Sequence, residues 1–184
     1  LHNDICYPAI CAIGQQLYAL KSGKYDTHKV ALIQFQTGGG CRASNYICFL
    51  KKGLREAGFG YVPIISLNVL GMEKQPGFSI SYSFIKKLIM GIIYGDLFMR
   101  VLYRVRPYEK VVGSANRLYE FWREKALENV SNGNKREMNE NIKSIVEAFD
   151  RLEINNVKKP KVGVVGEILV KYHPTANNNI VDVL

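Results

Sequence analysis

The chain has 184 residues, 47% of them hydrophobic and 22% charged, enough to build one domain with a sizeable core and a small second lobe. Its formal net charge of +9 favours anionic partners: nucleic acid, a phosphorylated cofactor or an acidic protein. Four cysteines in a chain of this length are too few for a secreted disulfide scaffold.

Asn3 and Asp4 read as a helix cap, followed by Pro8 and an apolar helix over 8–21 with Ile10, Ile13, Leu17 and Leu20 at helical spacing. Ser22-Gly23 ends it. Residues 29–36 read as a buried strand. Residues 44–57 read as a helix, with Ser44 or Asn45 as its cap and Gly58 and Gly60 past its end. Residues 62–67 form a second apolar strand. Near-continuous apolar strands alternating with helices predict an α/β fold, a Rossmann-like parallel sheet with helices on both faces.

The period then changes. Ile85, Leu88, Ile92, Gly95, Met99 and Leu102 are spaced as one stripe of a long helix over 79–104. Pro107 breaks it. A second helix covers 111–130, with Leu118, Phe121 and Trp122 near its middle. Asn132-Gly133-Asn134 is a turn. A third helix covers 136–152, with Ile142, Ile145, Val146 and Phe149 facing inward. Residues 79–153 are therefore predicted as a helical insert between an α/β part, 1–78, and a return to the sheet in 154–184. A linker at 157–160 precedes a last strand at 161–168.

The stretch richest in chemistry is Gln36-Thr37-Gly38-Gly39-Gly40-Cys41-Arg42-Ala43-Ser44-Asn45-Tyr46, which joins a strand to a helix. In α/β folds ligands bind outside the carboxyl ends of the strands. A helix start, with its dipole and free N–H groups, favours thiolate, the form that binds metal or attacks an electrophile. Gly38, Gly39 and Gly40 have the makings of a phosphate cradle, or of a tight structural turn. They do not match a P-loop, and they match the dinucleotide glycine pattern only with Ala43 in place of its third glycine.

Cys6 and Cys41 both precede helices and are candidates for shared metal ligation. An iron–sulfur cluster normally takes about four thiolates, or three with one open iron site. Cys11 and Cys48, inside helices among apolar neighbours, read as small buried hydrophobes. The Cys-x4-Cys spacing does not fit a zinc pair. His2, His28 and His173 share no motif and read as surface or turn residues. Glu167, after the last predicted strand, is a site carboxylate or a helix cap.

No basic arm, zinc-finger pattern or RNA-binding motif is present, so nucleic acid is not an expected partner. The apolar run 88–95 falls far short of the roughly 20 residues that cross a bilayer, and no membrane partner is expected. With no signal peptide at its start, the chain reads as cytoplasmic with reduced thiols. The start at Leu1 and the apolar end at Leu184 read as a piece of a longer polypeptide.

Five stretches occur in order: Asn3-Asp4-Ile5-Cys6-Tyr7-Pro8, the Gln36 to Tyr46 loop, Val62-Pro63-Ile64-Ile65-Ser66-Leu67-Asn68, Arg106-Pro107-Tyr108-Glu109 and Gly163-Val164-Val165-Gly166-Glu167-Ile168. Together they resemble the 2-hydroxyacyl-CoA dehydratase and benzoyl-CoA reductase superfamily of anaerobic bacteria. The likeness is greatest to the large activators of 2-hydroxyglutaryl-CoA dehydratase, in which an ATPase region is fused to a dehydratase-like region. The resemblance implies an iron–sulfur protein fed by ATP-driven electron transfer, with a [4Fe–4S] cluster near an acyl-CoA site. Carried over, Cys6 and Cys41 become cluster ligands, and Gly38, Gly39, Gly40 and Arg42 lie where the cofactor binds. The implied partners are an acyl-CoA substrate or dehydratase subunits, and the remainder of a parent chain bearing the ATPase motifs that are missing here. The other reading of the same residues is a non-catalytic α/β module that binds CoA or a nucleotide, or docks a partner protein.

Overall fold

The computed structural model describes residues 5–36, 39–68 and 81–184. They form a mixed α/β structure of two compact units, Leu1–Ser79 with Val162–Leu184, and Ile80–Lys161.

The first unit opens with helix α1 (Tyr7–Lys21). Pro8 sits in its first turn, where a missing N–H leaves nothing unpaired. The cap expected at Asn3 and Asp4 lies outside the described residues. Cys6 itself holds the N-cap position with extended backbone (φ −61°, ψ 146°), and its carbonyl accepts the Ala9 N–H at 3.0 Å. Strands β1 (Leu32–Gln36) and β2 (Ile64–Asn68) pair in parallel, Leu32 opposite Ile64 and Gln36 opposite Asn68. Helix α2 (Tyr46–Glu56) joins them and buries Ile47, Leu50, Gly53 and Leu54, one stripe at helical spacing. Ile13 and Leu20 of α1 meet Leu50 and Leu54 of α2 and Val62, with Leu32 and Ile64 of the sheet packed against them.

One expectation is met in part, as a mixed α/β structure with a parallel pair of strands, and one is corrected. Helices do not cover both faces among the described residues. Strand side chains alternate, so Leu32 faces the helices while Ile33 and Phe35 face away, 52% and 66% exposed. One helical layer covers one face, and an apolar run in β1 does not itself supply a second layer.

Residues 161–168 do not return as a strand. No residue of 161–167 joins a ladder, and Val165 is 91% exposed. Strand pairing needs a neighbouring edge, and glycines at 163 and 166 weaken the run further. Gly166 turns the chain at φ +147°, a conformation open to glycine. Short helices α6 (Ile168–Tyr172) and α7 (Ile180–Val183) follow. A ring nitrogen of His173 hydrogen-bonds Gln15 Oε1 of α1 at 2.9 Å, tying this tail to the first unit.

The second unit is helical. Ser81 caps α3 (Tyr82–Val105) by accepting the Phe84 N–H. The predicted stripe of α3 is rotated. Met90, Tyr94, Phe98 and Val105 are buried, while Ile85, Leu88 and Ile92 are exposed. The aromatic pair decides the inward face: it buries the largest area, and the Tyr94 hydroxyl finds polar partners inside. That hydroxyl donates to Asn129 Oδ1 at 2.9 Å and accepts from Asn141 Nδ2. Pro107 ends α3 in a 3-10 turn, Arg106–Tyr108.

Helix α4 (Ser114–Asn132) stops at Gly133 in the left-handed conformation, and Asn134 caps α5 (Lys135–Asp150) through the N–H groups of Arg136 and Glu137. Ile145 and Phe149 are buried as expected, but Val146 lies at the surface, and so does Phe121 of α4. Beyond α5 the chain returns to the turn after α3, where the Asn155 N–H donates to the Tyr108 carbonyl at 2.7 Å. Among the described residues no helix is long and apolar enough to cross a membrane.

Candidate functional site

The loop between β1 and α2 is pinned at both ends by one side chain. Gln36, the last residue of β1, is buried, and its Oε1 accepts the Ile47 N–H in the first turn of α2 at 3.4 Å. A strand residue thus supplies the cap expected from Ser44 or Asn45. Asn45 makes no side-chain cap bond, and the Ser44 hydroxyl instead donates to the Cys41 carbonyl at 2.6 Å.

Cys41 heads the 3-10 turn Arg42–Asn45 that leads into α2, with extended backbone (φ −99°, ψ 156°). Its place matches that of Cys6 before α1. Each is an N-cap whose thiol is not used for capping, and each is exposed. Gly38 lies outside the described residues, as does the Arg42 side chain. Gly39 and Gly40 are exposed; a Cβ on either would meet no atom within 4 Å, and neither has a left-handed backbone. Packing and backbone angle therefore give no reason for glycine at these two positions.

Tyr46, the first residue of α2, has a half-buried ring and lies within electrostatic reach of Cys6, Cys41 and Glu167. Its pKa is pushed up to about 12, first by burial, then by Cys6, then by the charges of Cys41 and Glu167. Glu167 also caps α6, its Oε2 accepting the Val170 N–H at 2.9 Å. So three residues singled out from the sequence, Cys6, Cys41 and Glu167, surround one phenol that sequence reasoning passed over. The available signal was its position: an aromatic directly after the cysteine loop, at the helix start.

The other cysteines lie elsewhere in role. Cys11 is half-exposed and lies one helical turn from Tyr7, whose hydroxyl pKa it raises. Cys48 is exposed, which corrects the buried reading. It follows Ile47 by one residue, about 100° around the helix, and so leaves the buried stripe for the side of Lys51 and Lys52. All four thiols are free. His28 stacks on Tyr61, centroids 4.7 Å apart, and is remote in role from the cysteine loop.

Two exposed thiols at helix starts, both within electrostatic reach of Tyr46, suit a thiolate-bound group. They supply part of a ligand set: among the described residues no group of three or more His, Cys, Asp or Glu is placed to hold a metal ion. The chain matches no family model, no curated protein and no solved structure. The site is accordingly read from its own chemistry.

Proposed function

We propose that the chain is the cluster-bearing lobe of an iron–sulfur protein of the 2-hydroxyacyl-CoA dehydratase and activator family, with Cys6 and Cys41 as two thiolate ligands of a [4Fe–4S] cluster. The observation that supports this reading is that Cys6 and Cys41, both exposed, each stand at a helix N-cap with a thiol not used for capping, and both lie within electrostatic reach of Tyr46. Further ligands come from outside the described residues. When bound, the cluster supplies single electrons at low potential for dehydration or reduction of an acyl-CoA.

The chain's own residues hold and shield that site. Two helix starts present the sulfurs, and the exposed backbone at Gly39 and Gly40 suits sulfide or phosphate oxygens. The +9 surplus suits the phosphates of CoA or an acidic, ATP-driven electron donor. On this reading β1, α2 and β2 belong to a Rossmann-like sheet in the cytoplasm, and the ATPase lies in the remainder of the polypeptide.

Anaerobic reconstitution of the intact polypeptide, followed by iron and sulfide analysis, tests the proposal. Cys6→Ser and Cys41→Ser should each lower bound iron and bleach the cluster absorption. Unchanged iron in both variants would refute it.

The room around Gly39 and Gly40 favours one second reading, a cluster-free module that binds CoA. CoA affinity that survives Cys41→Ala but is lost in Gly39→Val would support that reading over the first.

A further inference from the structure

We infer that the outward face of α3 is a contact between two copies of this chain, the two α3 helices packing antiparallel around Leu88 and Ile89. The inference is independent of the cysteine site. From Tyr82 to Gly95 the side of α3 away from its core carries Tyr82, Ile85, Leu88, Ile89, Ile92 and Ile93, all exposed, Ile92 by 62%. The charged residues in this stretch are Lys86 and Lys87 alone. Both are half-buried at the margins of the face, about 100° and 200° around the helix from Ile85. The Lys87 amine is turned onto the Ser131 carbonyl of α4 at 2.5 Å. A surface helix ordinarily sets charged residues opposite its buried stripe, and α3 does so from Asp96 onward, where Asp96 pairs with Arg100 at 2.8 Å. An outward face of large apolar side chains with no charge among them marks an interaction surface.

Charge, shape and area select a second copy as the occupant. The face offers an acidic partner nothing to pair with, whereas two chains of charge +9 meet there without setting like charges against each other. It is also self-complementary. A groove of about 420 Å³ runs beside the exposed ridge, lined by Phe84, Lys87, Leu88, Gly91 and Ile92 of α3 and Val130 of α4. Gly91 leaves the groove open, with nothing beyond the helix backbone within 4 Å of where a Cβ would stand. In an antiparallel pair with its two-fold axis between Leu88 and Ile89, Ile85 meets Ile92 of the partner subunit and Leu88 meets Ile89 of the partner subunit. The ridge of each copy then enters the groove of the other. With Phe84 included, the exposed side chains of the face present on the order of 700 Å², against roughly 800 Å² per partner in a standard interface.

Sedimentation equilibrium of the chain, run up to about 100 μM so that micromolar association registers, tests the proposal. A reversible monomer–dimer equilibrium is expected, and it should tighten as added salt screens the repulsion between like-charged copies. Ile89→Glu sets two carboxylates against each other near the axis and should weaken association about 30-fold or more. Its circular dichroism melt should stay that of the parent, because position 89 is half-exposed in a single copy. A second pair of variants tests the register: Ile85→Lys and Ile92→Glu should each self-associate weakly, and their equimolar mixture should form a heterodimer. A monomer at every concentration overturns the proposal, and flotation of that monomer with phosphatidylcholine vesicles would assign the face to lipid instead. A parent-like dimer in Ile89→Glu, or a mixture that fails to pair, overturns it as well, since the copies would then meet elsewhere.

Discussion

The side chain of Gln36, the last residue of β1, accepts the Ile47 N–H in the first turn of α2 at 3.4 Å. That bond ties the strand end to the helix start, on either side of the turn headed by Cys41. Gln36→Ala should therefore disturb the cysteine site without touching it. Loss of the Ile47 cap and of a buried side chain should cost about 1–3 kcal/mol in urea unfolding and weaken cadmium binding by the chain.

Gly39 and Gly58 should respond differently to a methyl group. Gly58 sits at φ +83°, where an L side chain is strained, so Gly58→Ala should cost about 1 kcal/mol in thermal unfolding. Gly39 has open space and no left-handed backbone angle, so Gly39→Ala should leave stability within about 0.5 kcal/mol of the parent in the same measurement. Any loss of cluster or CoA binding in Gly39→Ala would then report on ligand approach rather than on folding.

Asn129 is fully buried in α4 and joins three parts of the helical unit. It accepts from the Tyr94 hydroxyl of α3 and donates to the Asn134 carbonyl at 3.0 Å, ahead of α5. Asn129→Ala would strand those groups and should cost about 2–3 kcal/mol by chemical denaturation. Tyr94→Phe removes one partner and should cost less, about 1 kcal/mol.

Glu109 gives the helical unit a pH dependence of known sign. Burial raises its carboxyl, but hydrogen bonds from the Ala115 and Gly113 N–H groups and the Ser114 hydroxyl, with the Arg117 charge, outweigh burial and lower it. A folded pKa below the unfolded value of about 4.3 means the contribution is complete above that value. It is lost as pH falls through the lower, folded value. Glu109→Gln should destabilise the unit at neutral pH by about 1 kcal/mol, a modest figure because solvent screens the site. The gap between variant and parent should close on acidification, as melting curves across that range will show.

Element boundaries are legible in the sequence where local chemistry decides them. Proline in the first turn of α1, Pro107 after α3, and Gly133 with Asn134 between α4 and α5 all mark real boundaries. Legibility fails where the outcome depends on what lies alongside. The apolar run at 161–168 looks like a strand, but a strand exists only against a partner edge. The stripe on α3 was chosen by aliphatic spacing, whereas Tyr94 and Phe98 fix the buried face through area and through Asn129. At the candidate site, the place of Cys6 and Cys41 before helices is legible in the sequence, since proline and the glycine run mark those helix starts. The burial of Tyr46 is not, because it depends on what packs around the start of α2.

The most direct test of the shared thiol site is reaction of the chain with one equivalent of phenylarsine oxide, which bridges two thiols only when they can approach each other. After alkylation of the remaining thiols and peptide mass analysis, one arsenical should protect Cys6 and Cys41 together, leaving Cys11 and Cys48 alkylated. Full alkylation of Cys41 in the arsenical-treated chain, or protection of a different pair, would contradict the account.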